Sequence, residues 1–504
     1  MVTPSKLRAV RLRHALLAAG SLGVAAGIVY SRRRAAARTT SGESTGDPAP
    51  ALALMSRTER IRKVAQTGGK AGATFAVHKA RRAFASTERQ AELDAAFELQ
   101  TAEQVAETLG HMKGALMKLG QMASYLDSGI AEPVRQALAG LQQDAPPMSS
   151  ELAASVVERE LGAPPEELFL DWDPVPMASA SIGQVHRAIT QDRQAVAVKV
   201  QYPGVDEAIR SDLANSALLG TIMGVMFPGL EPGPLVEEIR ARVTEELDYA
   251  LEARSQQTFA DYYRGHPTIH VPDVVPALST GRVLTTELAE GVRFDEMLTW
   301  TQEERDQAAE TIYRFVFRSL YRLMAFNGDP HPGNYVFRPG GQVSFLDFGM
   351  VKYYRPDEVR LFEDMITAYV LDQDVREYRR IIERIGLLKP GLAFSDAEVE
   401  EYFGHFYSFV VEDAEMTITP EWSSQTMSRF FDPNGPYGEI AKSANLPPAF
   451  VIIQRINLGL MAILGDMHAT ANFRRIAEEL WPWVDRGPTT ELGKQEAIWL
   501  ANKG

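Results

Sequence analysis

At 504 residues the chain is longer than one ordinary hydrophobic core requires, so two or more lobes with appendages are expected. Hydrophobic residues at 45% and charged residues at 23% fit a globular protein, and the absence of cysteine excludes disulfides, thiolate metal sites and cysteine nucleophiles. A net charge of −14 argues against nucleic-acid binding by the bulk of the chain.

The charge is unevenly spread. No acidic residue precedes Glu43, while Lys6, Arg8, Arg11 and Arg13, then Arg32, Arg33, Arg34 and Arg38, bracket the uncharged, mostly small or apolar run ALLAAGSLGVAAGIVY at 15–30. That run is short of the ~20 residues of an upright bilayer span, so it fits a short anchor, a signal-peptide core or an interfacial tail. A single uncleaved anchor is the expectation. Basic residues flank both sides, so charge alone sets no orientation, and the folded domain is expected in the cytosol at the cytoplasmic face of a membrane. TTSGESTGDPAP at 39–50 reads as a linker. Residues 56–89 carry nine Lys and Arg residues against only Glu59 and Glu88, which suits either an anionic membrane surface or a solvated helical face.

Residues 92–139 place Leu, Ala, Glu, Gln and Met at spacings of three and four and predict helices. Within them, HMKGALMKLGQMASYL at 111–126 contains Lys118 and Gln121. Its Gly114 and Gly120 each cost a helix ~1 kcal/mol relative to Ala, which points to close approach by another element. A further helix is predicted over 149–161, with Ser149 or Ser150 as N-cap. The character of the chain then changes. VPMASASIGQVHRAI at 175–189 is a small-residue loop running into a strand, and QAVAVKVQ at 194–201 is an alternating strand that bears Lys199. This is the order of a phosphate-cradling loop, here Ala178, Ser179, Ala180, Ser181, Gly183 and Gln184, followed by a phosphate-pairing lysine. Only Gly183 supplies glycine freedom, so backbone amides approach phosphates less freely than in a glycine-rich loop.

Leu235, Ile239, Val243, Leu247 and Leu251 recur every four residues and predict one helix over 235–263, with Glu245, Asp248 and Glu252 along another face. Such like charges repel, and either solvent or Lys199, acting through Glu252, compensates them. VLTTELAEG at 283–291 reads as a strand ending in a hinge, where main-chain groups near Glu287 and Ala289 meet an adenine. An apolar helix over 311–326 delivers FNGDPHPGN at 326–334, in which Asp329 and Asn334 have D-x-x-x-x-N spacing, and Asp347 opens the D-F-G of FLDFG at 345–349. The intervening YVFRPGGQVSFL reads as a hairpin that carries both motifs into one cleft. Asn334 and Asp347 supply the hard oxygens that Mg²⁺ prefers, and Asp329 faces an attacking hydroxyl or water. No second histidine stands near His331 at ligand spacing, so it reads as a structural loop residue. Helices are expected over 357–385, 396–411 and 448–464, the last too polar at Arg455 and Asn457 for a membrane span.

Together these residues resemble the UbiB family of atypical protein-kinase-like proteins, also called aarF-domain kinases, from about Glu92 to about Leu480. The family's K-x-G-Q matches Lys118 through Gln121, its alanine-rich loop Ala178 through Val185, its ion-pair lysine Lys199, its E-x-D Glu246 and Asp248, and its helix glutamate Glu252. The catalytic loop and D-F-G match Asp329, Asn334 and Asp347, while Ser255 stands where the family pattern has Asn. The resemblance implies that Lys118 and Gln121 sit on a lid over the nucleotide cleft. It also implies ATP binding and hydrolysis linked to membrane lipids, isoprenoid quinone biosynthesis or lipid homeostasis.

The expected architecture is α+β, a two-lobed protein-kinase-like fold with a helical N-terminal extension. Its parts are an anchor and linker (1–50), the extension (51–170), an N-lobe (171–290), a helical C-lobe (291–485) and a tail (486–504). The expected cofactors are ATP and Mg²⁺. The expected partners are a membrane lipid or isoprenoid precursor and lipid-biosynthesis proteins, without nucleic acid. Three activities fit: hydrolysis coupled to lipid handling, transfer to a small-molecule or protein hydroxyl, and a nucleotide-gated scaffold with negligible turnover.

Overall fold

The computed structural model describes residues 148–180, 182–206, 244–431, 435–445 and 447–503, all within the larger of two compact units, Ser56–Gly504. The run at 15–30, the basic segment at 56–89, Lys118, Gln121 and Ser181 lie outside the described residues.

Helix α1 (Ser150–Leu161) begins where the Ser149 hydroxyl accepts the Leu152 N–H and ends at Gly162, whose φ of 84° supplies a left-handed cap. The strands β1 (Phe169–Trp172), β2 (Ala178–Ala180), β3 (Gly183–Thr190), β4 (Ala195–Gln201) and, later in the chain, β6 (Val283–Glu287) form one antiparallel sheet ordered β1-β3-β4-β6, with β2 paired to β3. Period-two alternation in β4 does two jobs. Val196, Val198 and Val200 are fully buried in a core with Ala153, Val156 and Val157 of α1, while Ala197 and Lys199 face the opposite side. The same alternation orients β3, where Val185 faces with Lys199 and its neighbours Gln184 and His186 are buried.

The single helix expected over 235–263 is interrupted. Asp248 is the N-cap of α2 (Tyr249–Tyr263), its carboxylate accepting the Ala250 N–H at 3.0 Å, and Leu247 lies in a turn. An Asp that binds its own downstream N–H competes with helix continuation, and here that local bond prevails over the four-residue apolar repeat. Glu245, Asp248 and Glu252 therefore do not form one acidic face, and Glu252 alone is carried inward on the first turn of α2.

The second lobe is built on α3 (Gln302–Arg318), started by a capping box between Thr301 and Glu304. A π-type turn (Ser319–Leu323) and the left-handed Met324 lead into β7 (Ala325–Asn327), which pairs with β10 (Val351–Tyr353). Between them, β8 (Tyr335–Arg338) and β9 (Gln342–Phe345) form the expected hairpin, and β5 (Ile269–His270) adds to β9 in parallel. Thr311 on α3 donates to the Gly341 carbonyl at the hairpin tip, and Phe315 stacks on Phe345 at 3.7 Å between ring centres. The helices α4 (Pro356–Ile366), α5 (Val375–Arg384), α6 (Asp396–Phe403), α7 (Pro420–Phe431), α8 (Pro448–Asp466) and α9 (Phe473–Leu480) complete the lobe. Among the described residues no helix is long and apolar enough to cross a membrane.

Residues 486–504, expected as a tail, include α10 (Glu491–Lys503), whose Glu496 is fully buried. The Glu496 carboxylate takes hydrogen bonds from Arg314 at 2.6 Å and from Arg318 at 2.5 and 3.1 Å, and lies 2.9 Å from His266 Nε2. Burial opposes the Glu496 charge, but the His266 bond and the two guanidinium groups hold its pKa down to about 2. A depressed carboxylate pKa stabilises the fold above the unfolded value near 4.3, and that stabilisation is lost as pH falls towards the folded value. Chemical denaturation across pH should therefore show stability declining from about pH 4.5 downwards by a few kcal/mol. Glu496→Gln should remove that part of the acid slope while lowering stability at pH 7 by about 3 kcal/mol or more, because two arginines then lose a buried partner.

Candidate active site

Lys199 reaches from β4 across the interior and donates to Glu252 Oε1 and Oε2 at 2.9 and 3.0 Å. It also lies 3.4 Å from Asp347 Oδ2 and 5.0 Å above the ring of Tyr249. One ammonium is thus shared by two carboxylates. Burial disfavours the Lys199 charge, yet Asp347 and Glu252 hold its pKa well above the usual lysine value. Burial also acts on Glu252, raising it to about 7; Lys199 pulls it down, but Asp347 competes for that cation and pushes it up again. The cluster has more negative than positive charge in a half-enclosed space.

The hairpin fixes the opposite wall. The Leu346 N–H donates to the Asn334 carbonyl at 2.8 Å, so the base of β8–β9 sets Asn334 beside the start of D-F-G. Asp347 adopts a left-handed φ of 60°, a conformation Asp tolerates better than most residues. Asn327 Nδ2 holds its carbonyl and the Gly349 N–H its Oδ1. Phe348 packs into the core 5.0 Å from the ring of Phe259 on α2, joining D-F-G to the helix that carries Glu252. Asn334 Nδ2 donates to both the main-chain oxygen and Oδ2 of Asp329 at 3.1 Å, which ties the two ends of the D-x-x-x-x-N loop together.

These walls enclose a cleft of about 370 Å³. Ala178, Ser179 and Ala180 form its roof, Glu287 and Ala289 its back, and Lys199, Glu252, Asp329, Asn334 and Asp347 its interior. The Glu287 side chain is hydrogen-bonded by His270, 3.3 Å away, which keeps that carboxyl below its ordinary range. Gly183 and Gln184 do not line this cleft. Gln184 is buried against the Met148 main chain and His186, because its strand position points to the α1 side of the sheet. Gly183 serves packing: a Cβ there would meet the Val200 carbonyl at 2.3 Å and the Tyr249 hydroxyl at 2.8 Å. Lys118, Gln121 and Ser181 lie outside the described residues. Other residues line the cleft as well, His331 and Arg293 among them. His331 accepts the Gly333 N–H through Nδ1, and Arg293 donates to the Gly333 carbonyl at 3.1 Å. No local motif marks Arg293.

Among the described residues no cluster of three or more His, Asp or Glu side chains forms a metal cage by itself. Asp347 and Asn334 fit the alternative, since Mg²⁺ is commonly held by one or two protein oxygens plus substrate phosphates and waters. A strand lysine paired to a helix glutamate, facing a D-x-x-x-x-N loop and a D-F-G across an interlobe cleft, defines a kinase-like protein. The comparisons agree. The sequence matches the ABC1 atypical kinase-like domain over residues 140–382. It is 33% identical over 306 residues to atypical kinase COQ8B, mitochondrial, of Rattus norvegicus, covering 59% of this chain and 57% of that protein. It is 30% identical over 271 residues to atypical kinase COQ8, mitochondrial, of Saccharomyces cerevisiae, covering 53% and 54%. A solved Rv3197–erythromycin complex from Mycobacterium tuberculosis is 32% identical with a TM-score of 0.58, covering 79% of this chain and all of that one. The chain belongs to the UbiB family of ABC1-type atypical kinases. Its matches span little more than half the length of the two curated relatives named here.

The D-x-x-x-x-N loop is seated on α8. A Cβ on Gly459 would lie 2.5 Å from Pro330 Cγ and 3.3 Å from the Pro330 carbonyl, so the loop rests directly on the glycine. Gly459→Ala should cost about 1–3 kcal/mol by overpacking. Pro330→Ala, which removes the clashing ring carbon, should restore most of that loss in the double variant when the set is compared by urea denaturation.

Proposed function

We propose that the cleft binds Mg·ATP and that the protein is an atypical kinase-like ATPase acting at a membrane surface, in support of isoprenoid quinone or other lipid metabolism. The observation that carries this reading is the sharing of Lys199 between Glu252 and Asp347. That arrangement holds a cation ready for phosphate oxygens and leaves carboxylate charge that a divalent ion would balance. When bound, Mg²⁺ would neutralise phosphate charge, with Asp347 and Asn334 as its protein ligands. Lys199, fixed by Glu252, orients the phosphates. Asp329, held by Asn334, orients the water or acceptor hydroxyl and takes its proton at the carboxylate. Main-chain groups around Glu287 and Ala289 border the space suited to an adenine.

The lipid and quinone assignment extends from the family resemblance, and membrane attachment from the charge and apolar pattern of residues 1–89. One feature favours a nucleotide-gated scaffold as the second reading. The roof residues Ala178–Ala180 are a regular strand paired with Gly183–Val185, so the roof lacks the glycine-rich backbone that wraps phosphates in active kinases.

The test is phosphate release from Mg·ATP by the full chain, with and without liposomes of anionic phospholipid. Release should rise with liposomes and fall by about a hundredfold or more in Asp347→Asn. If wild type and Asp347→Asn are equally silent while ATP still raises the melting temperature, the scaffold is the better account.

A further inference from the structure

The helix that positions Glu252 is held at its far end by the C-terminal helix. From its first turn at Glu252, α2 runs to Tyr263, and the residues just beyond it are gripped by α10. Trp499 Nε1 donates to the Arg264 carbonyl at 3.0 Å, and its ring stacks on Tyr263 and meets Tyr262 and His266 edge-on. One turn away, Glu496 is bonded at once to His266, in the loop leaving α2, and to Arg314 and Arg318 of α3, the helix that leads to the catalytic loop. Helix α10 therefore bridges the far end of the Glu252 helix and the last turns of α3, the helix that precedes the Asp329 loop.

A helix is stiff along its axis, so the position of its first turn is set by how its last turn is anchored and by what packs along it. Between these ends α2 packs through Phe259 against Phe348 and Phe315, and at its first turn the Lys199 pair closes. Resting on the nucleotide reading above, we infer that α10 is a positioning element for the active site, with Trp499 and Glu496 setting the placement of Glu252 against Lys199. A buried aromatic clamp combined with a buried, fully bonded carboxylate resists both sliding and rotation of the α2 terminus, which solvent-exposed contacts would not do. The chemistry lies about a helix length away, and Trp499 acts only through α2.

The experiment is a double-mutant cycle in the full chain, read as the dissociation constant for Mg·ATP by calorimetry. Trp499→Ala should weaken binding by roughly fivefold to tenfold in the wild-type background. In the Glu252→Gln background it should weaken binding by less than about twofold, because the group it positions is already lost. Trp499→Phe, which keeps one aromatic ring but loses the pyrrole ring with its N–H, should show a smaller effect in the same direction and serves if the alanine variant does not fold. Equal losses in both backgrounds would reduce α10 to a general stabiliser and overturn the inference, as would unchanged affinity in folded Trp499→Ala or Trp499→Phe. Absence of Mg·ATP binding by wild type would instead refute the nucleotide reading itself. Hydrogen exchange gives a check independent of nucleotide: Trp499→Ala or Trp499→Phe should raise exchange at the first turn of α2 as well as at its end, whereas change confined to 260–266 and α10 would also overturn the inference.

Discussion

One buried ammonium, shared by two carboxylates that come from different parts of the fold, is the constraint around which the rest is arranged. Lys199 comes from a strand of the N-lobe sheet, Glu252 from the first turn of α2, and Asp347 from the end of the β8–β9 hairpin. Each group is costly to bury alone, and the cluster is tolerable because each compensates the desolvation of another. The same arrangement leaves the cleft with surplus negative charge beside a fixed cation. That combination suits a phosphate-bearing ligand accompanied by a divalent ion better than either one alone.

Holding these groups together requires rigid supports, and the fold supplies one for each. The valines of β4 lock its pleat against α1, which forces Lys199 to the cleft side. The D-F-G phenylalanine packs against α2, so the helix bearing Glu252 and the loop bearing Asp347 share a core contact. The D-x-x-x-x-N loop lies between the β7–β10 pair and α8, where the Gly328 N–H bonds the Met350 carbonyl and Pro330 rests on Gly459. Removing a side chain in any of these supports acts on the cleft without touching a ligand.

Much of this was readable in the sequence because it is local. The D-x-x-x-x-N spacing, the Pro-Gly-Gly turn and the alternation around Lys199 all lie within short stretches whose periodicity and turn chemistry dictate their geometry. The misreadings have equally definite causes. Asp248 lies between Leu247 and Leu251 of an apolar four-residue repeat, yet it caps the following helix, and the cap prevails. Gln184 lies in the expected loop by position, yet strand alternation turns it away from the cleft. The role of α10 was invisible because Glu496 meets Arg314 and Arg318 across about 180 residues of chain, and nothing in ELGKQEAIWLANK marks Glu496 as buried. Gly459 likewise looks like any helical glycine until Pro330 is placed against it.

The most direct test of the shared-cation account is the Mg²⁺ dependence of ATP binding, measured by titrating ATP into the full chain at several Mg²⁺ concentrations, for wild type and Asp347→Asn. The account predicts that affinity rises steeply with Mg²⁺ in wild type and that Asp347→Asn loses most of this dependence while keeping metal-independent binding through Lys199. ATP binding indifferent to Mg²⁺, or a Mg²⁺ dependence that survives intact in Asp347→Asn, would contradict it.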